Sequence, residues 1–211
     1  MMLTGRVLSL LAAGLLAAGQ LHAAELLPNG RFDDPGTGTA GWVAIDPSSN
    51  LDWDGSRDAD GCAGSGSAAL TNSAATSDAG ARFASCAAAV PGGVDYGLGA
   101  SILFPVQERE GSASVAVHWI EGAGCAGAVL GTSNTPAALS SIEEVWISLA
   151  GTATAPAATG SALIVVTLTK KVAGSELTAR LDEVALRPPG EIFGEGFEVG
   201  AVCRWTAAAI D

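Results

Sequence analysis

The sequence predicts an all-β fold, two antiparallel sheets packed as a sandwich or jelly roll. Three observations predict it. Short runs of alternating or β-branched residues recur along the chain. Clusters of Gly and Pro punctuate them. No segment carries the apolar spacing of a long amphipathic helix. Short strands with regular turns are how sandwiches and jelly rolls read.

The chain opens with residues 1–24, which have the pattern of a signal peptide. Arg6 is the one charge before Glu25, and an apolar core runs from Val7 to Gly19. The small residues Ala23 and Ala24 follow, where a signal peptidase can cut. That core is short of the roughly 20 apolar residues a spanning helix needs. The domain is expected over residues 25–188. It begins with a weak strand at Glu25–Leu27 and a loop-rich, Asp-rich stretch, Asp33–Gly66. A second weak strand follows at Ser67–Thr71. Clearer strands are expected at Ala81–Val90, Tyr96–Phe104, Ala113–Ile120, Val145–Ala155, Ala162–Thr169 and Leu177–Leu186. Pro91-Gly92-Gly93, Gly111-Ser112, Gly122-Ala123-Gly124, Pro156 and Ala173-Gly174 supply the turns between them. Residues 189–211 follow Pro188 as a linker and C-terminal tail.

Composition narrows the function. The formal charge of −12 argues against nucleic acid, whose phosphates need a cationic surface. It argues equally against anionic polysaccharides and acidic lipid. A neutral ligand, or a cation such as calcium, suits it better. Cys62, Cys86, Cys125 and Cys203 form an even set, which in an exported chain implies two bridges among three possible connectivities. No C-x-x-C pair is present, so the zinc-ribbon and thioredoxin-like readings have no support. Secretion, or a cell-surface or periplasmic location, follows from the leader and the cysteines together.

Catalysis finds little footing. His118 is the one histidine beyond the leader, and it falls mid-strand with no G-x-S-x-G elbow in the chain. H-E-x-x-H is absent. A glycoside hydrolase needs only two facing carboxyls, which Glu108, Glu110, Glu143, Glu144 and Glu183 leave open as an alternative.

The ordered pieces resemble a known family. Asn29-Gly30-Arg31-Phe32-Asp33 with Gly41-Trp42 is similar to the opening of jelly-roll carbohydrate-binding modules of the galactose-binding-like, CenC-type family. Ser65–Leu70 resembles their second strand, and Val90-Pro91-Gly92-Gly93-Val94-Asp95-Tyr96 resembles their turn into a central strand. Trp146-Ile147-Ser148-Leu149 with Ala155-Pro156 and the closing Leu181-Asp182-Glu183-Val184-Ala185-Leu186 complete the set. The resemblance spans Asn29 to about Pro188. It implies a non-catalytic module for neutral polysaccharide or cell-surface glycan. A structural or adhesive domain without a glycan ligand is the alternative.

The resemblance also implies particular residues. A structural calcium is expected at Asp33 and Asp182, with backbone carbonyls of the opening turn completing the shell of oxygens such an ion takes. The Asp52–Gly61 cluster has a calcium-loop flavour but lacks the full motif, and solvated Asp-Gly turns account for it. Secreted proteins of this kind often carry cysteines at the positions of Cys86 and Cys125, so this pairing is expected, leaving Cys62 with Cys203. Trp42 and Trp146 fall at core positions of the family. Alternation puts Trp119 and Tyr96 on apolar, inward faces. That leaves Trp53, in the Asp-rich loop, as the candidate exposed aromatic. His118 and Arg180 are the strong hydrogen-bonding groups of the opposite strand faces. They would share one shallow polar surface if their strands adjoin. Ile192–Gly200 with Cys203-Arg204-Trp205 looks like a short ending seen on exported bacterial proteins. It reads as a sorting or attachment signal, or as an end stapled by Cys203.

Overall fold

A computed structural model describes residues 26–106 and 110–188. Eleven strands are described: β1 Trp42–Ala44, β2 Ser49–Asp54, β3 Ser67–Asn72, β4 Gly80–Ala87, β5 Asp95–Leu103, β6 Gly111–Glu121, β7 Val129–Asn134, β8 Ala138–Leu139, β9 Trp146–Thr154, β10 Thr159–Lys170 and β11 Leu177–Arg187. They form two antiparallel sheets. A six-stranded sheet has the order β1-β4-β10-β6-β7, with β8 beside β6; a five-stranded sheet has the order β2-β3-β11-β5-β9. The all-β sandwich expected from the sequence is the fold observed. Among the described residues no helix is long and apolar enough to cross a membrane.

Period-two alternation builds the core. Ala113, Val115, Val117 and Trp119 of β6 face inward, as do Ala162, Ile164, Val166 and Leu168 of β10. From the five-stranded sheet come Tyr96, Leu98, Ala100 and Ile102 of β5 and Leu177, Ala179 and Leu181 of β11. The Tyr96 and Trp119 rings meet across the sandwich at 5.6 Å between centroids. Lys170 is buried at the end of β10, where its ammonium donates to the carbonyls of Ala74 and, at 2.6 Å, Ser175.

The opening motif is a lock on one end of the core. Asn29 and Phe32 adopt left-handed backbone conformations. Asn29 Nδ2 donates to the carbonyls of Gly38 at 2.8 Å and Ala40 at 3.2 Å. The Trp42 indole N–H donates back to the Asn29 carbonyl at 3.3 Å, and its ring lies 5.6 Å from that of the fully buried Phe32. Gly41 must be glycine, because it has positive φ and a Cβ there would meet Pro28 Cγ at 2.9 Å. The Val184 N–H donates to Gly30 O at 2.8 Å, tying this turn to β11.

Three expectations need correction. Leu26 and Leu27 are not a strand; Leu27 is a buried plug in a bent segment, so core packing rather than sheet pairing explains its apolarity. The loop-rich stretch Asp33–Gly66 contains β1 and β2. The segment 122–144 contains β7 and β8. All four run along sheet edges. An edge strand buries little, so its sequence need not alternate clearly.

The bridge Cys86–Cys125 is present, joining the end of β4 to the β6–β7 loop, whose Gly124 N–H also donates to Ala88 O at 2.8 Å. Cys203 lies outside the described residues, as do the leader and the tail. Replacing Cys86 and Cys125 together by alanine is expected to cost roughly 4 kcal/mol, the chain-entropy value for a loop of about this size. Equilibrium denaturation checks this, and an unmoved midpoint would mean that the bridge does not stabilise the fold.

Candidate functional site

The outer face of the five-stranded sheet carries the candidate site. Register sets its rows. Asp52, Ala69, Arg180, Leu103 and Trp146 lie side by side from β2 to β9. The neighbouring row includes Asp54, Ser67, Asp182, Ser101 and Ser148. Beyond a bulge in β11 between Asp182 and Ala185, the face continues through Gly99, Ala185 and Ala150 to Gly97, Arg187 and Thr152. This last end opens into a recess of about 570 Å³ lined by Asp95, Gly97, Thr152 and Thr154.

Residues 55–66, the β2–β3 loop, fold over this face as a strap. The Ala59 N–H donates to Asp182 Oδ2 at 2.8 Å on the central strand β11. Arg57 Nη2 reaches Glu144 Oε2 at 2.6 Å, just before β9. β2 and β9 are opposite edges of the sheet, roughly 19 Å apart at strand spacing. The strap therefore bridges the full width. Its inner side carries Ser65, whose hydroxyl lies 3.1 Å from Asp33 Oδ1 and 2.5 Å from Asp58 Oδ1. Gly66 and Gly55 let the strap leave and return close over Trp53: a Cβ at either would meet its ring at 2.6 or 2.5 Å.

Between strap and sheet lies a cavity of about 360 Å³, lined by Ser56, Arg57, Asp58, Cys62, Ser65 and Trp146 among others. Trp146 is its aromatic wall. The core position expected for this residue is corrected by its register: it sits beside Leu103 on the outer row and is half-buried, while Ile147 packs on the core. Arg180 Nε donates to Asp54 Oδ2 at 2.5 Å on the same face. Burial pushes the Asp54 carboxyl up, but hydrogen bonds from Ser56 and the Arg180 guanidinium outweigh it and hold the carboxyl below the usual range. Asp182 is different. Burial, with Asp58 and Glu183 nearby, pushes it up to about 8 despite the N–H groups of Ala59 and Glu183 that it accepts.

The other expected site residues fall as follows. Trp53 is not an open platform. It faces inward from β2, half-buried, packs on the core and donates its indole N–H to Phe32 O at 2.8 Å. His118 and Arg180 do not share a surface, because β6 and β11 belong to different sheets. His118 lies on the outer face of the six-stranded sheet, hydrogen-bonded to Thr132 Oγ1 at 2.8 Å. Burial and the Arg82 charge lower its pKa. Asp33 is exposed, and Asp182 is buried; the strap contacts both. Among the described residues no three His, Cys, Asp or Glu side chains are grouped to hold a metal ion. A calcium here would draw much of its shell from backbone carbonyls. Asp182 fits such an ion in chemistry, being a hard oxygen donor held out of water.

No protein-family model matches the sequence, and neither does any curated protein. Solved structures do match. One is the xylanase 10B of Clostridium thermocellum in its family 22 carbohydrate-binding and glycoside hydrolase modules, complexed with xylohexaose; identity is 13%, the TM-score 0.54, and the match covers 76% of this chain and 28% of that one. A second is the enzymatically active domain of tailspike protein 4 of bacteriophage CBA120, with 14% identity, a TM-score of 0.57 and coverage of 78% and 21%. A third is the C-terminal family 22 carbohydrate-binding module of the same xylanase, with 14% identity, a TM-score of 0.54 and coverage of 78% and 98%. The fold is a jelly-roll sandwich of the kind carbohydrate-binding modules use. This chain spans about a quarter of the first two proteins and nearly the whole of the isolated module.

The strap should be separable from the core. Arg57→Ala removes its far anchor, an exposed ion pair worth at most about 1 kcal/mol to global stability. Limited proteolysis is expected to cut within residues 55–66 faster, with the unfolding midpoint nearly unchanged. Equal cleavage rates in both proteins would show that the pair does not hold the strap.

Proposed function

We propose that this chain is an exported, non-catalytic binding domain for neutral polysaccharide, with xylan the first candidate. One observation carries the reading: a cavity between the strap and the outer face of the five-stranded sheet, with the half-buried Trp146 as its aromatic wall and Ser56, Arg57 and Asp58 among its polar lining. An exposed ring face takes the apolar side of a sugar, and flanking polar groups take its hydroxyls. The net charge of −12 favours a ligand without negative charge. Solved xylan-binding domains of similar fold, at 17% and 14% identity, support the choice of ligand. Export is supported by the leader pattern and by the Cys86–Cys125 bridge.

Affinity electrophoresis through soluble xylan and a panel of other neutral polysaccharides tests the reading. Retardation is expected, and Trp146→Ala is expected to weaken it by about 2 kcal/mol, roughly thirty-fold in Kd. No retardation on any polysaccharide would sink it in favour of a structural or adhesive domain.

Calcium is the second part of the proposal, with Asp182 and Asp33 as its side-chain ligands. An ion that binds only the folded state raises the unfolding temperature by mass action. Calcium is expected to raise that temperature over chelator, and Asp182→Asn is expected to abolish the difference. An identical unfolding temperature with calcium and with chelator would remove calcium from the account.

A further inference from the structure

Each sheet leaves two strand edges open. β1 and β7 end the six-stranded sheet, and β2 and β9 end the five-stranded one. An open edge offers unpaired N–H and C=O groups to any other strand, so proteins blunt it with short strands, charges, proline or bulges. β1 has only three residues. β2 carries Asp52 and Asp54. The β6–β7 ladder breaks register between Trp119 and Ile120. β9 has none of these devices. It runs nine residues without a charge or a proline, in unbroken register with β5.

The surroundings of β9 are apolar as well. Nine large hydrophobic side chains are exposed among the described residues, and five of them, Val129, Leu130, Leu139, Ile142 and Val145, lie between the start of β7 and the start of β9. β7 and β9 close the same side of the sandwich: a Cβ at Gly151 would lie 3.8 Å from Thr135 Cγ2, just past β7. From residue 129 to residue 154 the only charged side chains are Glu143 and Glu144, and Glu144 is paired with Arg57. In a chain of net charge −12, this is a side on which two copies can meet with little repulsion.

We propose that a second copy of this chain docks here, β9 against β9, antiparallel about a two-fold axis through Ala150. Such pairing keeps each face with its like, so the two outer faces become one face of a continuous sheet. The register fits. On the core side it sets Ile147 opposite Ala153 and Leu149 opposite Gly151, large against small each time. On the outer side it sets Ser148 opposite Thr152 and Trp146 opposite Thr154. Thr152 and Thr154 line the recess of about 570 Å³, whose own ring, Tyr96, is buried. The second copy therefore brings its Trp146 to the rim of that recess, an aromatic wall that one chain alone does not supply. The two Trp146 side chains stand roughly 27 Å apart along the strands, on one face. The pairing does not rest on what either cavity binds.

Sedimentation equilibrium of the full secreted chain, free of glycan, tests it. A mass twice that of the single chain is expected at micromolar concentration. Ser148→Lys with Thr152→Lys sets like charges opposite each other at two points of the seam, and is expected to raise the dissociation constant about tenfold. Ser148→Lys with Thr152→Glu sets opposite charges there and is expected to restore the dimer. Both positions are exposed in the single chain, so the sandwich is expected to fold in each variant. Ala150→Cys reads the register, because the axis sets this residue against its own copy within disulfide reach. Mild oxidation is expected to link two copies through it. A single-chain mass throughout, a dimer that Ser148→Lys with Thr152→Lys leaves as tight, or no link through Ala150→Cys would overturn the proposal.

Discussion

The outer face of the five-stranded sheet is organised by one buried carboxyl, Asp182. It stands on the central strand β11, pointing away from the core, yet it is only 1% exposed. A carboxyl taken out of water must be hydrogen-bonded, neutralised or paired with a cation. Ala59 supplies a backbone N–H from the strap, and Glu183 supplies another from the bulge. The strap cannot leave without exposing or orphaning this group. Everything that lines the Trp146 cavity from the loop side, Ser56 through Ser65, is held in place with it. The same bulge lets Val184 donate to Gly30, so the opening turn and the strap converge on neighbouring residues of a single strand.

How much of this is written in the sequence varies with burial. The central strands β5 and β6 alternate cleanly, and the alternation names their inward residues, whereas β10 carries an unbroken apolar run from Ala162 to Val166 and β11 is interrupted by its bulge. The edges do not. β2 reads Ser-Asn-Leu-Asp-Trp-Asp, a polar stretch whose two apolar residues, Leu51 and Trp53, are the ones that pack on the core. An Asp-rich loop and an Asp-rich edge strand look alike until the partner strand is known. The opening Asn29–Trp42 motif is legible because each of its parts has a local reason, from the left-handed Asn29 to the Pro28 contact that excludes a side chain at Gly41.

The site residues show the same division. Period two along β9 places Trp146 with Ser148, Ala150, Thr152 and Thr154, a polar or small face, and Ile147 with Leu149, an apolar one. That local signal identifies Trp146 as outward, against the core position that resemblance implied. His118 and Arg180 fall on different sheets for another reason. Each lies opposite its strand's apolar face, but which strands share a sheet is decided by long-range pairing that no local pattern records. The strap was the least legible part. Its anchors, Ala59 to Asp182 and Arg57 to Glu144, join residues separated by 123 and 87 positions.

The fold also separates what holds it together from what it presents. Phe32, Phe83, Trp119 and Ile164 lie between the sheets, and the Cys86–Cys125 bridge fastens the six-stranded sheet. Trp146, Arg180 and the strap lie outside the other sheet. Large losses of stability come from cavities in a core or from broken bridges, whereas substitutions on a face away from them cost little. The outer face is therefore free to change its aromatic and polar groups while the sandwich persists. Asp182 is the exception, because it belongs to the face by position and to the fold by burial. That double role ties the strap to the sheet beneath it, because losing the Ala59 hydrogen bond leaves an oxygen of a buried carboxyl unpaired.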